Sequence, residues 1–220
     1  MKMNNIDKVY VLNHKDFDKR REFIENQLKS QNIKYELVQK FHPSEFNYEE
    51  KMNNWEFFDD IEIVQTNGSY RNFSKKISVG SLSLILKHIW CYEDQIKNNF
   101  ENVLILEDDA NIPNNFNEFI NNNMQDFIEL KKKYDVSMLM LGKTHSIFTA
   151  KKNNDYLHAF YNENQKTRCT HAYVLNINAT KKLINGFKNY NLPIDFKINE
   201  IIQKENIKVA WSEPGITQVN

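Results

Sequence analysis

The stretch ENVLILEDDAN, Glu101 to Asn111, constrains this chain more than any other. Four apolar residues, Val103 to Leu106, read as a buried strand and run directly into three carboxylates, Glu107, Asp108 and Asp109. Like charges at the mouth of a buried element repel one another, so a positive partner is expected there. The candidates are a metal ion, a neighbouring Lys or Arg, or plain solvent.

The surrounding pattern alternates strand-like and helix-like segments. Ile6 to Asn13 reads as a first strand and Asp16 to Gln31 as a helix, with Phe17, Arg21, Ile24 and Leu28 on one stripe. Lys34 to Gln39 reads as a second strand, and residues 42–76, without clear period, as an irregular insertion. The helical period returns over Ile77 to Asn98, where Leu82, Ile85, Leu86, Ile89 and Ile96 share a face. A helix from Asn115 to Lys133, a buried strand over Asp135 to Gly142 and two strands at YLHAF and HAYVLN follow. A helix over Asn178 to Lys188 capped by Asn178, a helix over Asp195 to Lys204, and a strand at Ile207 to Trp211 complete the series. Such alternation predicts an α/β domain with a mainly parallel sheet flanked by helices, residues 1–220 forming one domain. Ligands of such sheets bind beyond the carboxyl ends of the strands, where Glu107, Asp108 and Asp109 fall.

Composition narrows the function classes. With 29 basic and 29 acidic residues, the chain carries no broad field to capture nucleic acid or anionic membrane. Its five glycines form no phosphate loop of either common type. Cys91 and Cys169, outside any metal-ligand spacing, are expected as reduced, buried thiols. No apolar run suits a secretory leader or a membrane span, which predicts a cytoplasmic protein, of a cell or of an infected host, rather than a secreted one.

Several residues could carry chemistry. Glu107 and Asp109 point to the same side of an extended chain and could share Mg²⁺ or Mn²⁺; an acidic loop with Asp109 as a cap is the plainer reading. Arg20 and Arg21, in a first helical turn, oppose the helix dipole, a penalty an anion would remove; Asp16 and Asp18 could equally pair with them. His88 flanks an apolar stripe, His171 opens a strand and could ligate a metal or be a satisfied core histidine, and Asp195 precedes a helical run and could be its N-cap. Lys143 and His145 follow another strand.

Read in order, these segments resemble glycosyltransferase family 25, which holds bacterial lipooligosaccharide galactosyltransferases and procollagen galactosyltransferases. IDKVYVLNHKDFDKRREFIENQL is similar to the family's opening strand and Asp-Arg-Arg helix. VGSLSLILKHIWCYE resembles its G-x-x-G-C-x-L-S-H-x-x-x-W segment, with Gly80, Leu86 and His88 in register. VLILEDDA resembles the acidic motif, THAYVLNINATKKLI the T-H-A-Y segment, LPID the P-[IV]-D segment and WSEPGITQ the E-P-x-x-x-x-Q ending. Ser83 stands where the family has its second glycine, Lys87 where it has serine, and Tyr92 where it has tryptophan.

The resemblance implies a GT-A-type glycosyltransferase fold, a UDP-sugar donor and Mn²⁺ or Mg²⁺ held chiefly by Asp109 with Glu107 and His171. It places Leu12 against the uracil and Asn13, Arg20, Arg21, Glu107, Asp108 and His88 around the nucleotide. For an inverting transfer it assigns the base to Asp195, with Asp108 as the alternative. The acceptor would be a glycan or a hydroxylysine-type hydroxyl; galactose is the family's commonest sugar and glucose the nearest rival. Two other classes stay open: a degenerate, non-catalytic nucleotide- or glycan-binding module, favoured by Ser83 and Lys87, and a metal-dependent nucleotidyl- or phosphotransferase.

Overall fold

A computed structural model describes residues 3–53, 62–64, 70–72, 77–142, 157–160, 169–187 and 192–219. In chain order its elements are β1 (Lys8–Leu12), α1 (Asp18–Ser30), β2 (Glu36–Val38), a 3-10 turn (Pro43–Glu45), α2 (Tyr48–Asn53), β3 (Glu62–Val64), β4 (Tyr70–Asn72), α3 (Val79–Asn98), β5 (Asn102–Glu107) and β6 (Ala110–Asn111). There follow α4 (Phe116–Tyr134), β7 (Val136–Gly142), β8 (Leu157–Phe160), β9 (Ala172–Asn176), α5 (Ile177–Gly186), α6 (Ile194–Lys204) and β10 (Lys208–Gln218).

The main sheet runs β2-β1-β5-β9-β7-β10-β6, with β8 also paired to β10. β2, β1 and β5 are mutually parallel, β10 is parallel to β7, and β9 is antiparallel to both its neighbours. The long strands therefore share one direction except β9, which is inserted backwards between β5 and β7. The expected α/β architecture with a mainly parallel, helix-flanked sheet is what the chain adopts.

Both faces of the sheet are buried, and side-chain alternation divides the core cleanly. Tyr10, Leu12, Val103, Ile105, Met138, Met140, Tyr173 and Leu175 pack toward α3, α5 and α6. Val9, Val11, Leu104, Leu106, Leu139, Leu141 and Val174 pack toward α1 and α4, meeting Ile24, Leu28, Phe116, Ile120, Met124 and Phe127. This two-sided burial explains the unbroken apolar runs of β5 and β7.

Local chemistry sets the element ends. α3 begins at Ser78, whose hydroxyl accepts the Ser81 N–H, and stops at Asn99 in the left-handed region, φ 53°. α5 is capped by Asn176, not by Asn178: the Asn176 side chain accepts the Asn178 N–H at 3.2 Å, so the helix starts one residue before the expected cap. α6 begins beyond Pro193, which places Asp195 inside its first turn rather than at the N-cap. Phe17 is not on the buried stripe of α1; it lies outside the helix, exposed, with its ring against His14. The insertion over residues 42–76 contains the 3-10 turn, α2 and the antiparallel β3–β4 pair. β10 outlasts its expected end at Trp211 because its ladder resumes, after a register shift, at Ile216 opposite Gly142. Neither Cys91 nor Cys169 is in a disulfide; Cys91 is buried, but Cys169 is only partly so. Among the described residues no helix is long and apolar enough to cross a membrane.

Candidate active site

Strand direction assembles the site. The ends of β1 and β5 lie side by side, Leu12 opposite Glu107. Because β9 runs the other way, its beginning meets the same edge, with Ala172 opposite Leu106. Thr170 and His171, just before β9, therefore stand beside the carboxylates. The end of β10 arrives from the far side, pairing Gln218 with Ala110.

Each carboxylate has a different environment. Glu107 accepts the Thr170 hydroxyl at 2.6 Å, and His88 Nε2 stands 3.4 Å from the same oxygen. That approach is too poorly aligned to be a full hydrogen bond. Burial pushes the Glu107 carboxyl up, but His88 and Thr170 together draw it below the usual glutamate range. Asp108 is buried and accepts Asn13 Nδ2 at 2.7 Å and Arg20 at 3.4 Å. Asp109 accepts Arg20 at 3.3 Å and Gln218 Nε2 at 3.3 Å. Both aspartates are raised above their ordinary range, first by burial, and Asp109 further by the charges of Glu107 and Asp108. The positive partner demanded by the acidic strand end is, in part, Arg20.

The other expected residues fall into place unevenly. Leu12 is buried at the end of β1, while Asn13 bridges two strands, accepting Gln39 at 2.7 Å as it donates to Asp108. Arg21 pairs with Asp18 at 2.8 Å instead of turning toward the carboxylates. His88 has no exposed surface; its Nδ1 lies 2.6 Å from the Tyr173 hydroxyl, which lies 2.7 Å from that of Tyr92. Since a carboxylate only accepts, the His88 proton belongs on Nε2 and the tyrosines donate in sequence toward Nδ1. His88 thus supports Glu107 from beneath. Asp195 lies in the α3–α5–α6 layer, its Oδ1 accepting the N–H of Phe196 at 2.9 Å. Lys143 and His145 lie outside the described residues.

His171 is buried, and its Nε2 sits 2.8 Å from the Ile216 carbonyl. A carbonyl cannot donate, so Nε2 carries the proton and Nδ1 keeps its lone pair. Among the described residues that Nδ1 has no hydrogen-bond partner. An oriented imidazole with a free lone pair beside acidic residues suits a divalent metal. Among the described residues, though, Glu107, Asp109 and His171 do not bring ligand atoms within 4.8 Å of one another; His14, Asp16 and His42 do.

Sequence reading missed the supporting residues Gln39, Thr170, Tyr173 and Gln218. Thr170 and Tyr173 flank His171 in one short segment, but pairing them with Glu107 and His88 requires the reversed β9. The departures at Ser83 and Lys87 act as a unit: the Lys87 ammonium donates to Ser83 Oγ at 2.6 Å, and Ser83 donates to the Phe41 carbonyl at 2.6 Å. Burial lowers the Lys87 amine to about 8, opposed by the charge of Asp108.

The sequence model of glycosyltransferase family 25 (LPS biosynthesis protein) matches residues 6–198. The chain belongs to glycosyltransferase family 25. This family 25 protein is accordingly a glycosyltransferase, and the carboxylate edge is its candidate active site. No curated protein matches the chain. Among solved structures, a glycosyltransferase involved in the glycosylation of the major capsid of PBCV-1 aligns with 83% of this chain and 71% of its own, at 11% identity and a TM-score of 0.35. So loose a superposition adds nothing to the family match.

Proposed function

We propose that this family 25 glycosyltransferase moves a hexose from a UDP-sugar to a hydroxyl of a glycan or of a hydroxylysine-type acceptor, with inversion and with a divalent metal. Galactose is the first candidate sugar and glucose the second, and the reading places the work in the cytoplasm of a cell or infected host. One observation carries it. Glu107, Asp108 and Asp109 follow one another at the carboxyl edge of the sheet, where Arg20 reaches both aspartates and the His171 carbonyl accepts the Glu107 N–H.

Asp109 would be the chief ligand of Mn²⁺ or Mg²⁺, with Glu107 and His171 as the further ligands. A metal bound there supplies positive charge to the departing diphosphate. Arg20, partly exposed and shared between Asp108 and Asp109 at 3.3–3.4 Å, can turn its guanidinium to the same diphosphate. Asn13 and Leu12 line the nucleotide side. The acceptor's proton goes to Asp195, the carboxylate of the LPID segment that resembles the family's P-[IV]-D motif, with Asp108, which accepts from Asn13 and Arg20, as the alternative. Asp195→Asn is expected to lower turnover about 10²–10⁴-fold with donor affinity nearly unchanged. Turnover near that of the parent enzyme would remove Asp195 from this role.

The reading is tested by donor hydrolysis. UDP-galactose, UDP-glucose, UDP-N-acetylhexosamines and GDP-sugars are supplied with Mn²⁺ or with chelator, and released nucleoside diphosphate is measured. Metal-dependent release from one UDP-hexose is the expected result. Release of phosphate or pyrophosphate would instead indicate a phospho- or nucleotidyltransferase. Silence from every donor, with no nucleotide binding by calorimetry, would point to a non-catalytic binding module.

A further inference from the structure

Just beyond β1, a second group of ligand-bearing side chains stands beside the carboxylate edge, the His14 backbone reaching Asp108. Asp16 Oδ2 lies 3.2 Å from His42 Nε2 and 3.8 Å from His14 Nδ1. The two imidazole rings are 4.8 Å apart. One ligand atom from each residue falls within 4.8 Å of the other two. Ligands about 2.0–2.2 Å from a tetrahedral ion lie roughly 3.4 Å from one another, so these spacings bracket an edge of such a polyhedron.

The His42 ring is already oriented. Its Nδ1 accepts the Ser44 N–H at 3.3 Å and lies 2.8 Å from Ser44 Oγ, which turns Nε2 toward Asp16, where a bound metal would displace the Nε2 proton. His14 and Asp16 come from the segment after β1, and His42 from the segment after β2. An ion pair between Lys15 and Glu45 joins the same two segments. The partly buried imidazoles face the more exposed Asp16, leaving water a route to a fourth position.

We propose that His14, Asp16 and His42 form a second metal site, selective for a borderline transition ion such as Zn²⁺ or Co²⁺. Two imidazoles and one carboxylate suit such an ion better than Mg²⁺, which takes oxygen ligands. The site clamps the segments after β1 and β2, one of which contains Asn13. It requires no assumption about the sugar-transfer chemistry.

The test is Zn²⁺ calorimetry on chelator-stripped full-length protein without nucleotide, with Co²⁺ absorption as the spectroscopic readout. The expected result is a Zn²⁺ equivalent bound at this site and lost in the histidine variants, a Co²⁺ visible spectrum of low coordination number, and a raised thermal midpoint. His42→Ala and His14→Ala should each weaken Zn²⁺ at least about tenfold, whereas Asp109→Asn should bind it as the parent does. His42 also caps the 3-10 turn, so His14→Ala, which removes no cap, separates ligation from folding. No Zn²⁺ bound, unchanged affinity in both histidine variants, or loss confined to Asp109→Asn would overturn the proposal. The first two outcomes leave the donor-hydrolysis reading standing.

Discussion

Asp109→Asn is expected to reduce metal-dependent turnover about 10²–10³-fold while making the metal-free protein more stable. Loss of activity follows from removing the charge that would hold the metal. The gain in stability follows from the electrostatics of the carboxylate edge, where burial and then Glu107 raise the Asp109 carboxyl. The folded protein consequently holds this proton more tightly than the unfolded chain does. Ionising Asp109 costs nothing below the ordinary aspartate range, and the full cost is present once the pH exceeds the raised value. A neutral amide avoids it and can still accept from Arg20 or Gln218. The variant should therefore gain about 0.5–2 kcal/mol near neutral pH, shrinking as the pH falls through the raised value. Thermal unfolding in chelator across that pH range, beside donor turnover with Mn²⁺, measures both effects. Near-parental turnover would exclude Asp109 as the metal's chief ligand, and a destabilised variant would mean that its contacts with Arg20 and Gln218 outweigh the repulsion.

Gly142→Ala carries the largest expected loss of stability. Gly142 ends β7 with the His171 ring directly over it. A Cβ built there would meet Cε1 at 2.5 Å and Cδ2 at 2.7 Å, distances that require the ring to move. The ring cannot shift without disturbing its hydrogen bond to Ile216, the residue opposite Gly142 in the ladder. Overpacking and a displaced buried hydrogen bond together cost roughly 2–5 kcal/mol. That corresponds to a fall of about 5–15 °C in thermal midpoint for a domain of this size. Gly80→Ala is the internal control, since its nearest neighbour would be 3.9 Å away. A Gly142→Ala melt indistinguishable from that of Gly80→Ala would show that the His171 ring has room to yield.

Much of the architecture could be read from periodicity because burial and period agree. The unbroken apolar runs of β5 and β7 and the repeating apolar positions Leu82, Ile85 and Leu86 each match one buried surface. Periodicity failed where a polar residue acts through the backbone or a distant partner. Asn176 outcompetes Asn178 as a cap because its side chain reaches the Asn178 N–H. Arg20 and Arg21 are chemically alike, yet only Arg20 reaches the carboxylates, while Arg21 is held by Asp18 one helical turn away. No local pattern separates those two arginines. His88 was legible as a boundary histidine, but its link through Tyr173 to Tyr92 joins positions more than 80 residues apart. The Ser83–Lys87 pair, which as sequence suggests decay, is in the fold a satisfied hydrogen-bonded tie from α3 to Phe41.

The backwards insertion of β9 also has a consequence for timing. The three carboxylates are synthesised near the middle of the chain, but Thr170 and His171 follow some sixty residues later. Ile216 and Gln218, which orient His171 and bracket Asp109, come more than a hundred residues after the acidic cluster. A nascent chain therefore presents its acidic cluster long before it owns the groups that restrain it. The carboxylate edge closes only once β10 has docked.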